Sequence, residues 1–277
     1  MKLSKEIIYL VEEFKSIYSN HKPGRIIAEI GPMYSGKTEP IINDFHAVVD
    51  IINEEIPNKR IILPIAHADN VIRDGVAITS RKPEGKGYSK RSIPVKFDNW
   101  NGLVEDNEEW VKRVLRYLIS NYKHGSKSVN ADLLFDEPFL FKSEFIECIS
   151  LVRALGPNIH FASISESFTG EEMPFIDYKK TGKTIYDLLR SLKNSDFIVR
   201  HLSRCNECGN YAEFTQRKTD GKPSSYHEPI FVIENSSEAR KYKHTYGPAC
   251  RDDFYVEDHP RLEEILRKPL PFSKPRI

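Results

Sequence analysis

The chain has 277 residues, with 41 lysines and arginines against 40 aspartates and glutamates. This balance excludes a global field that would steer the protein to nucleic acid or to an anionic membrane surface. The sequence shows no apolar run long enough to span a membrane and no apolar signal core. Its four cysteines are too few for a disulfide scaffold. We therefore expect a cytoplasmic protein with one large domain, or with one domain and an appendage.

An amphipathic helix is predicted at the N-terminus, because apolar residues recur at helical spacing through residues 1–20. Lys22-Pro23-Gly24 ends this pattern, and we define residues 1–22 as a helical extension. We expect the helix to pack against the domain or against a partner subunit. The following residues, 23–200, are predicted to form the main α/β domain.

The segment Gly31 to Thr38 matches the phosphate-loop pattern of a glycine, four residues and Gly-Lys-Thr. A strand predicted at 25–30 precedes it, and a helix predicted at 39–52 follows. This order lets backbone N–H groups of the loop and the helix N-terminus point at phosphate oxygens. The predicted ATP-phosphate ligands are Gly31, Pro32, Met33, Tyr34, Ser35, Gly36, Lys37 and Thr38. Within this set, Lys37 would reach the outer phosphates, and the Thr38 hydroxyl would ligate Mg²⁺.

Alternating strands and helices after the loop predict an α/β fold. The second strand contains Pro64, which indicates a sheet edge or a bulge. Asp69 and Arg73 follow that strand where open α/β sheets place ligands, so Asp69 is a candidate for the magnesium site and Arg73 for a phosphate contact. The predicted strands are 25–30, 60–66, 92–95, 131–137, 158–164 and 196–202, and the predicted helices are 39–52, 108–122 and 144–155.

The segment 81–96 carries six basic residues against one acidic residue, Glu84. A mobile flap over phosphates is one interpretation of this run. We favour a solvated loop, which is the commoner role of such a run, apart from a short strand at 92–95.

Asp136 and Glu137 end the apolar strand that begins at Ala131. An apolar strand that ends in two carboxylates is the second half of a phosphate-loop site. In such a site the first acid holds Mg²⁺ through water, and the second orients or deprotonates the attacking nucleophile. We therefore predict that Asp136 belongs to the magnesium site and that Glu137 is the catalytic base.

The spacing Cys205-Asn-Glu-Cys208-Gly is typical of a zinc knuckle, and Cys250 supplies a third thiol. A tetrahedral site needs a fourth ligand, for which Asp253 is the first candidate and His244 the second. The alternative is a CxxC pair that holds no metal. We assign residues 201–256 to a small β domain, with strands predicted at 211–218 and 229–234, and residues 257–277 to a tail with a short helix, either a surface strap or partly disordered.

These motifs, in this order, resemble the zinc-containing, phosphate-loop thymidine kinases of the vertebrate cytosol and of many bacteria and viruses. The matching stretches are Gly31-Pro-Met-Tyr-Ser-Gly-Lys-Thr38, Phe135-Asp136-Glu137, Ser165-Glu166-Ser-Phe168, Cys205-Asn-Glu-Cys208, Thr215-Gln-Arg217 and Tyr246-Gly-Pro-Ala-Cys250. The resemblance implies a RecA-like kinase domain and a zinc-held lasso domain that covers the nucleoside, usually in a homotetramer. It also implies transfer of the ATP γ-phosphoryl group to thymidine or deoxyuridine, with structural Zn²⁺ and with Met33, Phe168 and Tyr246 lining the nucleoside pocket.

The chain departs from that family at four places, the first of which is Pro40 in the helix after the loop, where the family has another residue. Pro138-Phe139-Leu140-Phe141 replaces the usual glutamine and aromatic pair, and Asp253 replaces a cysteine. A longer Glu-Asn-Ser-Ser-Glu run replaces the Gly-Gly lasso segment, which normally contacts the nucleoside. Two other functions therefore stay open. One is a zinc-containing phosphate-loop ATPase that acts on nucleic acid, although the balanced charge makes nucleic acid an unlikely partner. The other is a relative that binds nucleotide without catalysis.

Overall fold

A computed structural model describes residues 4–17, 22–52, 60–69, 77–84, 87–97, 100–121, 130–231 and 242–271. The strands are β1 Ile26–Ile30, β2 Ile61–His67, β3 Ala77–Glu84, β4 Gly87–Pro94, β5 Lys96–Phe97, β6 Trp100–Asn101, β7 Leu103–Val104, β8 Ala131–Asp136, β9 Asn158–Ser163, β10 Phe197–Arg200, β11 Ser203–Arg204, β12 Tyr211–Ala212, β13 Phe214–Thr219, β14 Lys222–Pro223 and β15 His244–Ala249. The helices are α1 Lys5–Ile17, α2 Glu39–Ile52, α3 Asn107–Asn121, α4 Phe145–Ala154, α5 Tyr178–Thr181, α6 Ile185–Ser191 and α7 Leu262–Arg267.

The central sheet has six parallel strands in the order β10-β1-β9-β8-β2-β7. Most residues of its inner strands are apolar, and all six residues of β8 are buried. Such continuous apolar strands are expected where helices or other elements cover both faces of a parallel sheet. The α/β fold class predicted from the sequence is therefore confirmed, and the sheet fits a phosphate-loop, RecA-like fold.

Two apolar clusters cover the two faces of the sheet. The larger cluster joins α1, α3 and α4 to the sheet around Phe14, Trp110 and Phe145. The smaller one joins α2 to the sheet and to the β3–β4 hairpin. The predicted N-terminal helix is confirmed, since α1 buries one apolar face in the larger cluster.

The strand prediction at Pro64 is confirmed, and its neighbours explain how the proline is tolerated. On one side, Pro64 lies opposite Leu134 of β8. On the other side, the short β7 pairs only with Ala66 and His67, so no strand requires an N–H group from Pro64. The carbonyl of Pro64 instead accepts a hydrogen bond of 2.9 Å from Trp100 Nε1.

The solvated loop predicted for 81–96 is wrong. Residues 77–84 and 87–94 pair as the antiparallel strands β3 and β4, with a continuous register from the Ala77–Pro94 pair to the Glu84–Gly87 pair. Ile78 and Ile93 are buried against α2, so the base of the hairpin is fixed by the smaller core, and the strands continue through the basic residues. The count of charges indicated a loop, whereas strand pairing and the buried base determine the structure.

After β10 the chain leaves the central sheet and forms small antiparallel sheets. One contains β14, β13 and β15, and another contains β11 and β12. The strand predicted at 229–234 is wrong for residues 229–231, which are not in a strand, and its other residues lie outside those described. The tail contains the predicted short helix, α7, and forms a strap as far as residue 271, because Leu270 is buried beside Phe214 and Phe254.

Candidate functional site

The phosphate loop lies between β1 and α2, as predicted, and its backbone takes unusual conformations. Tyr34 has φ 61° and Gly36 has φ 78°. Such a left-handed conformation is uncommon for a non-glycine residue, and it occurs preferentially at ligand-binding sites. Pro40 lies in the first turn of α2, where the missing N–H group costs no helical hydrogen bond.

Polar side chains of the loop gather at the start of α2. Lys37 and Thr38 are buried, and Lys37 Nζ donates a hydrogen bond of 3.3 Å to the carbonyl of Pro32. The Ser35 hydroxyl is also buried and has no hydrogen-bond partner among the described residues. A buried ammonium group beside an unsatisfied hydroxyl fits the binding of an anionic phosphate group.

Thr38 and Asp136 meet at the carboxyl edge of the sheet. The Thr38 hydroxyl lies 3.4 Å from Asp136 Oδ1. Asp136 ends β8, and only β9 separates β8 from β1, the strand that leads into the loop. Glu137 is buried and left-handed, with φ 52° and ψ 58°. Its N–H group donates to the carbonyl of Ala162, which fixes the backbone at the turn. A hydroxyl and a carboxylate at this separation fit the oxygen donor set that Mg²⁺ prefers.

Asp69 lies at the same edge of the sheet, two residues after β2. The contacts that the structure records for Asp69 are with His67, whose Nδ1 atom lies 3.5 Å from Asp69 Oδ2. The structure therefore groups Asp69 with His67, while it brings Thr38 directly to Asp136. Arg73, the candidate phosphate contact, lies outside the described residues.

The three residues predicted to line the nucleoside pocket do not form one cluster. Met33 packs against the larger apolar cluster, and its N–H group donates a hydrogen bond to Thr215 of β13. Phe168 is buried in the core of the small sheets, with the Arg217 guanidinium 3.5 Å from the centre of its ring. Tyr246 pairs with Arg217 across β13 and β15 and is partly exposed. Arg217 thus contacts the ring of Phe168 and lies opposite Tyr246, whereas Met33 contacts the small sheets through its hydrogen bond to Thr215.

A buried ion pair that the sequence did not predict follows β9. Arg200 donates to both carboxylate oxygens of Glu166, at 2.8 Å and 3.1 Å. Tyr186 donates to the same carboxylate, and Arg200 also donates to the carbonyl of Pro271 in the tail. Burial and the neighbouring Glu166 carboxylate raise the pKa of Tyr186. These contacts give Glu166 a structural role that joins the loop after β9 to β10 and the tail.

A second charge network, which the sequence did not predict either, is centred on the buried side chains of Glu29 and His160. Glu29 of β1 contacts His160 Nε2 at 3.1 Å and His201 Nε2 at 2.5 Å, and His160 Nδ1 lies 2.9 Å from Asp44. Burial by itself would lower the pKa of His160, but the hydrogen bonds to Asp44 and Glu29 outweigh it and raise that pKa. Burial would raise the pKa of Glu29, but its two histidine partners lower it. An acidic residue within an apolar strand was the available signal.

The predicted metal ligands Cys205, Cys208, Cys250 and Asp253 form one cluster, in which all ligand atoms lie within 4.8 Å of one another. Asp253 Oδ2 lies 3.2 Å from the sulfurs of both Cys205 and Cys250, and the sulfurs of Cys208 and Cys250 are 3.5 Å apart. His244 lies at the opposite end of β15 and contacts Thr219. The geometry therefore favours Asp253 over His244 as the fourth ligand.

The donor set of this cluster fits Zn²⁺. A tetrahedral zinc ion with bonds of about 2.0–2.3 Å places neighbouring ligand atoms roughly 3.5–3.8 Å apart, close to the separations here. The hydrogen bond to Asp253 raises the pKa of the Cys208 thiol to about 12, which disfavours its thiolate form when no cation is bound. A bound divalent cation would favour the thiolate form of Cys208. These residues are therefore a candidate structural zinc site.

The fold and the loop define an α/β protein whose central parallel sheet fits a phosphate-loop fold. No protein-family model matches the chain. The chain is 25% identical over 253 residues to a thymidine kinase from Ureaplasma parvum serovar 3, covering 91% of this chain and 92% of that protein. It is 22% identical over 244 residues to a thymidine kinase from Mycoplasma mycoides subsp. mycoides SC, covering 86% and 92%. This similarity supports a relationship to the thymidine kinases.

The large terminase from the thermophilic bacteriophage D6E aligns with 73% of this chain and 46% of its own, at 12% identity and a TM-score of 0.29. A likeness this low carries no argument. Among the described residues, no helix is long and apolar enough to cross a membrane.

Replacing His160 by leucine should destabilise the protein in a pH-dependent way. The folded state raises the pKa of His160, so its contribution is complete below about pH 6.5 and is lost as the pH rises through the raised value. Glu29 has a lowered pKa, so its contribution is present above about pH 4.3 and is lost as the pH falls through the lowered value. Between these limits we expect a loss of about 3 kcal/mol, the usual cost of removing one partner of a buried pair, and a smaller loss at pH 9.

Urea unfolding of wild type and His160→Leu at several pH values measures this difference. His46→Leu, on the exposed part of α2, is the matched control and should have little effect. A His160→Leu cost that stays constant from pH 5.5 to pH 9 would contradict the ionic role of the network.

Replacing Asp253 by alanine should lower the zinc content of the purified protein, because it removes the one carboxylate that contacts two of the thiols. Elemental analysis should give close to one zinc per wild-type chain and much less for Asp253→Ala. His244→Ala is the control and should retain the wild-type content, since His244 lies outside the cluster. Loss of zinc from His244→Ala but not from Asp253→Ala would refute the assignment.

Proposed function

We propose that the chain is a deoxynucleoside kinase that transfers the γ-phosphoryl group of ATP to the 5′-hydroxyl of thymidine or deoxyuridine. The observation that carries this proposal is the contact of the Thr38 hydroxyl with Asp136, each of which has a buried ionisable neighbour in the sequence, Lys37 and Glu137. Similarity to thymidine kinases over about nine-tenths of the chain supports the choice of acceptor.

The phosphate loop binds the phosphates of ATP in this proposal. Its backbone N–H groups and the N-terminus of α2 donate to phosphate oxygens, and the buried Ser35 hydroxyl gains an acceptor. The Lys37 ammonium group leaves the carbonyl of Pro32 and binds the outer phosphates. Such contacts position the γ-phosphorus for in-line attack and offset its charge, which is most of what catalysis of phosphoryl transfer requires.

Thr38 and Asp136 would hold magnesium, Asp136 through water, and Asp69 is a further candidate on the same edge. Magnesium, when bound, neutralises the charge that develops on the phosphate oxygens during transfer. The oxygen donors of this chain fit that ion because they are a hydroxyl and carboxylates.

Glu137 accepts the proton of the nucleoside 5′-hydroxyl. As that proton moves to the Glu137 carboxylate, a bond forms between the 5′-oxygen and the γ-phosphorus, and the bond from the γ-phosphorus to the β–γ bridging oxygen breaks. The products are the nucleoside monophosphate and ADP. The left-handed backbone of Glu137, held by its hydrogen bond to Ala162, supports this role because backbone strain concentrates at functional residues.

The nucleoside lies between the loop and the small β sheets, where Met33 and Tyr246 are proposed to contact the base. Phe168 supports the pocket from behind, because it is packed in the apolar cluster of the small sheets and stacked on Arg217. The candidate zinc site holds those sheets together in a structural role. We further propose that residues 23–200 and 201–256 act as the kinase and lasso domains.

A panel of phosphorylation assays tests the proposed function. Wild-type protein is incubated with Mg²⁺, γ-labelled ATP and, in turn, thymidine, deoxyuridine, deoxycytidine and deoxyguanosine, with ATP alone and with ATP plus single-stranded DNA as further arms. We expect label in thymidine or deoxyuridine monophosphate. Hydrolysis that DNA stimulates and nucleosides do not would support a nucleic-acid ATPase instead, and ATP binding without transfer or hydrolysis would indicate a non-catalytic relative.

Glu137→Gln is the matched variant for this assay because it keeps the size and hydrogen-bonding capacity of the side chain but removes the base. We expect ATP affinity within about twofold of wild type and a loss of kcat of at least about 100-fold. Substantial turnover by Glu137→Gln would remove Glu137 from the catalytic role and leave the phosphate site unaffected.

A further inference from the structure

Two buried hydroxyl side chains of the small sheets hold the tip of the phosphate loop. The Met33 N–H group donates to Thr215 Oγ1 at 3.0 Å, and the Ser203 hydroxyl donates to the carbonyl of Tyr34 at 3.2 Å. Ser203 and Thr215 have exposed fractions of 6% and 3%, so neither bond competes freely with water. We call Ser203 and Thr215 the loop brace.

The brace fixes the orientation of two peptide groups within the loop. In a trans peptide, the C=O and N–H groups point in opposite directions. With the Met33 N–H group directed at Thr215, the Pro32 carbonyl of the same peptide points away from it, and there it accepts the hydrogen bond of Lys37. With the Tyr34 carbonyl directed at Ser203, the Ser35 N–H group points away from Ser203. The brace thereby sets both the resting position of Lys37 and the direction of one loop N–H group.

The braced segment is the part of the loop with the least favourable backbone. Tyr34 has a left-handed φ of 61°, a conformation that persists only where the surroundings enforce it. The start of the loop is fixed separately, since a Cβ atom at Gly31 would lie 2.6 Å from the carbonyl oxygen of His201. Ser203 and Thr215 are two described side chains that hydrogen-bond to this strained tip.

Each brace residue lies close to a candidate metal ligand along its sheet. Ser203 is the first residue of β11, and Cys205 follows directly after that strand. Thr215 pairs with Pro248 of β15, which is two residues before Cys250. The two thiols themselves lie in one cluster with Asp253. A cation that fixes those thiols therefore also fixes the strands that carry the brace.

We propose that Ser203 and Thr215 are positioning residues of the phosphate loop and that the metal cluster supports phosphate binding through them. Neither residue touches the reacting atoms. They act by holding the loop in its binding conformation before ATP arrives, which lowers the cost of ordering it on binding. This inference rests on the proposed function in that it takes the loop to be the ATP site, and it assigns to the metal cluster a role beyond holding the small sheets together.

Calorimetric titration of ATP in the presence of Mg²⁺ tests the brace, with Ser203→Ala and Thr215→Val as the variants. Each should weaken ATP binding by about three- to tenfold, the effect of one net hydrogen bond, while nucleoside KM at saturating ATP changes little. Thr215→Ser restores the hydroxyl and should return the affinity to within about twofold of wild type.

Thr219→Val is the matched control because it removes a hydroxyl from the same strand. Thr219 contacts Ser224, Glu228 and His244, all in the small sheets. We expect it to lower stability without altering ATP affinity. Unchanged affinity in Thr215→Val, or an equal loss in Thr219→Val, would overturn the positioning role.

Zinc removal tests the part assigned to the metal. Wild-type protein is treated with a chelator until elemental analysis finds no zinc, the chelator is dialysed away, and ATP is titrated again with Mg²⁺. We expect an affinity loss at least as large as that of Thr215→Val. Wild-type protein that purifies without zinc, or zinc-free protein with unchanged affinity, would overturn the metal's role.

These outcomes separate the inference from the proposed function. Wild type that binds ATP through the brace but phosphorylates no nucleoside would leave the inference intact and refute the kinase proposal. Wild type that binds no ATP would refute both.

Discussion

The proposed site for ATP and magnesium depends on the contact between Thr38 and Asp136. This contact exists because β1 and β8 run parallel with β9 between them, so both strands end at the same edge of the sheet. Parallel strands bring residues from distant parts of the sequence to one edge, and here 98 positions separate the hydroxyl from the carboxylate. The phosphate loop and Glu137 belong to the segments that leave the sheet at this edge.

The apolar sheet behind this edge makes every charge within it costly, and the structure pairs the charges accordingly. Glu29 lies in β1 directly before the loop and is held by two histidines. At the opposite end of β1, the buried Arg153–Asp196 pair, at 2.7 Å, also binds the backbone of Gly24 and Ile26. Breaking either group would leave an uncompensated charge in a region of low dielectric. Both ends of the strand that carries the loop are thus fixed by ionic contacts rather than by apolar packing alone.

Much of the fold and part of the site were predictable from local sequence patterns. The loop motif, the strand that ends in Asp136 and Glu137, and the Cys-x-x-Cys knuckle are each encoded within a few residues, and the structure brings their members together as groups. The assignment of Asp253 came from its spacing after Cys250, and the cluster geometry agrees with it. The catalytic and substrate-binding roles given to these residues remain predictions.

The remaining features depend on contacts between distant residues, which one sequence does not reveal. The basic run at 81–96 indicated a loop because its charge outweighed the weaker signal of strand pairing over a buried base. The brace joins Met33 to Thr215 across 182 positions, and the Glu29–His160 contact spans 131. A serine, a threonine or a histidine at such positions has no local signature, since its role is defined by the partner that the fold supplies. Phe168 was predicted as a pocket wall, and its burial among aromatic side chains became evident only from the packing.

We propose that the edge of the sheet at which β1 and β8 both end forms one site for magnesium and the phosphates of ATP. The most direct test is the magnesium dependence of ATP affinity, measured by calorimetry on wild type and on Asp136→Asn with and without Mg²⁺. We expect Mg²⁺ to strengthen ATP binding to wild type by at least about tenfold. Asp136→Asn should lose most of this gain in affinity while still binding metal-free ATP. An equal gain from Mg²⁺ in both proteins would contradict the account, because Asp136 would then take no part in the metal site.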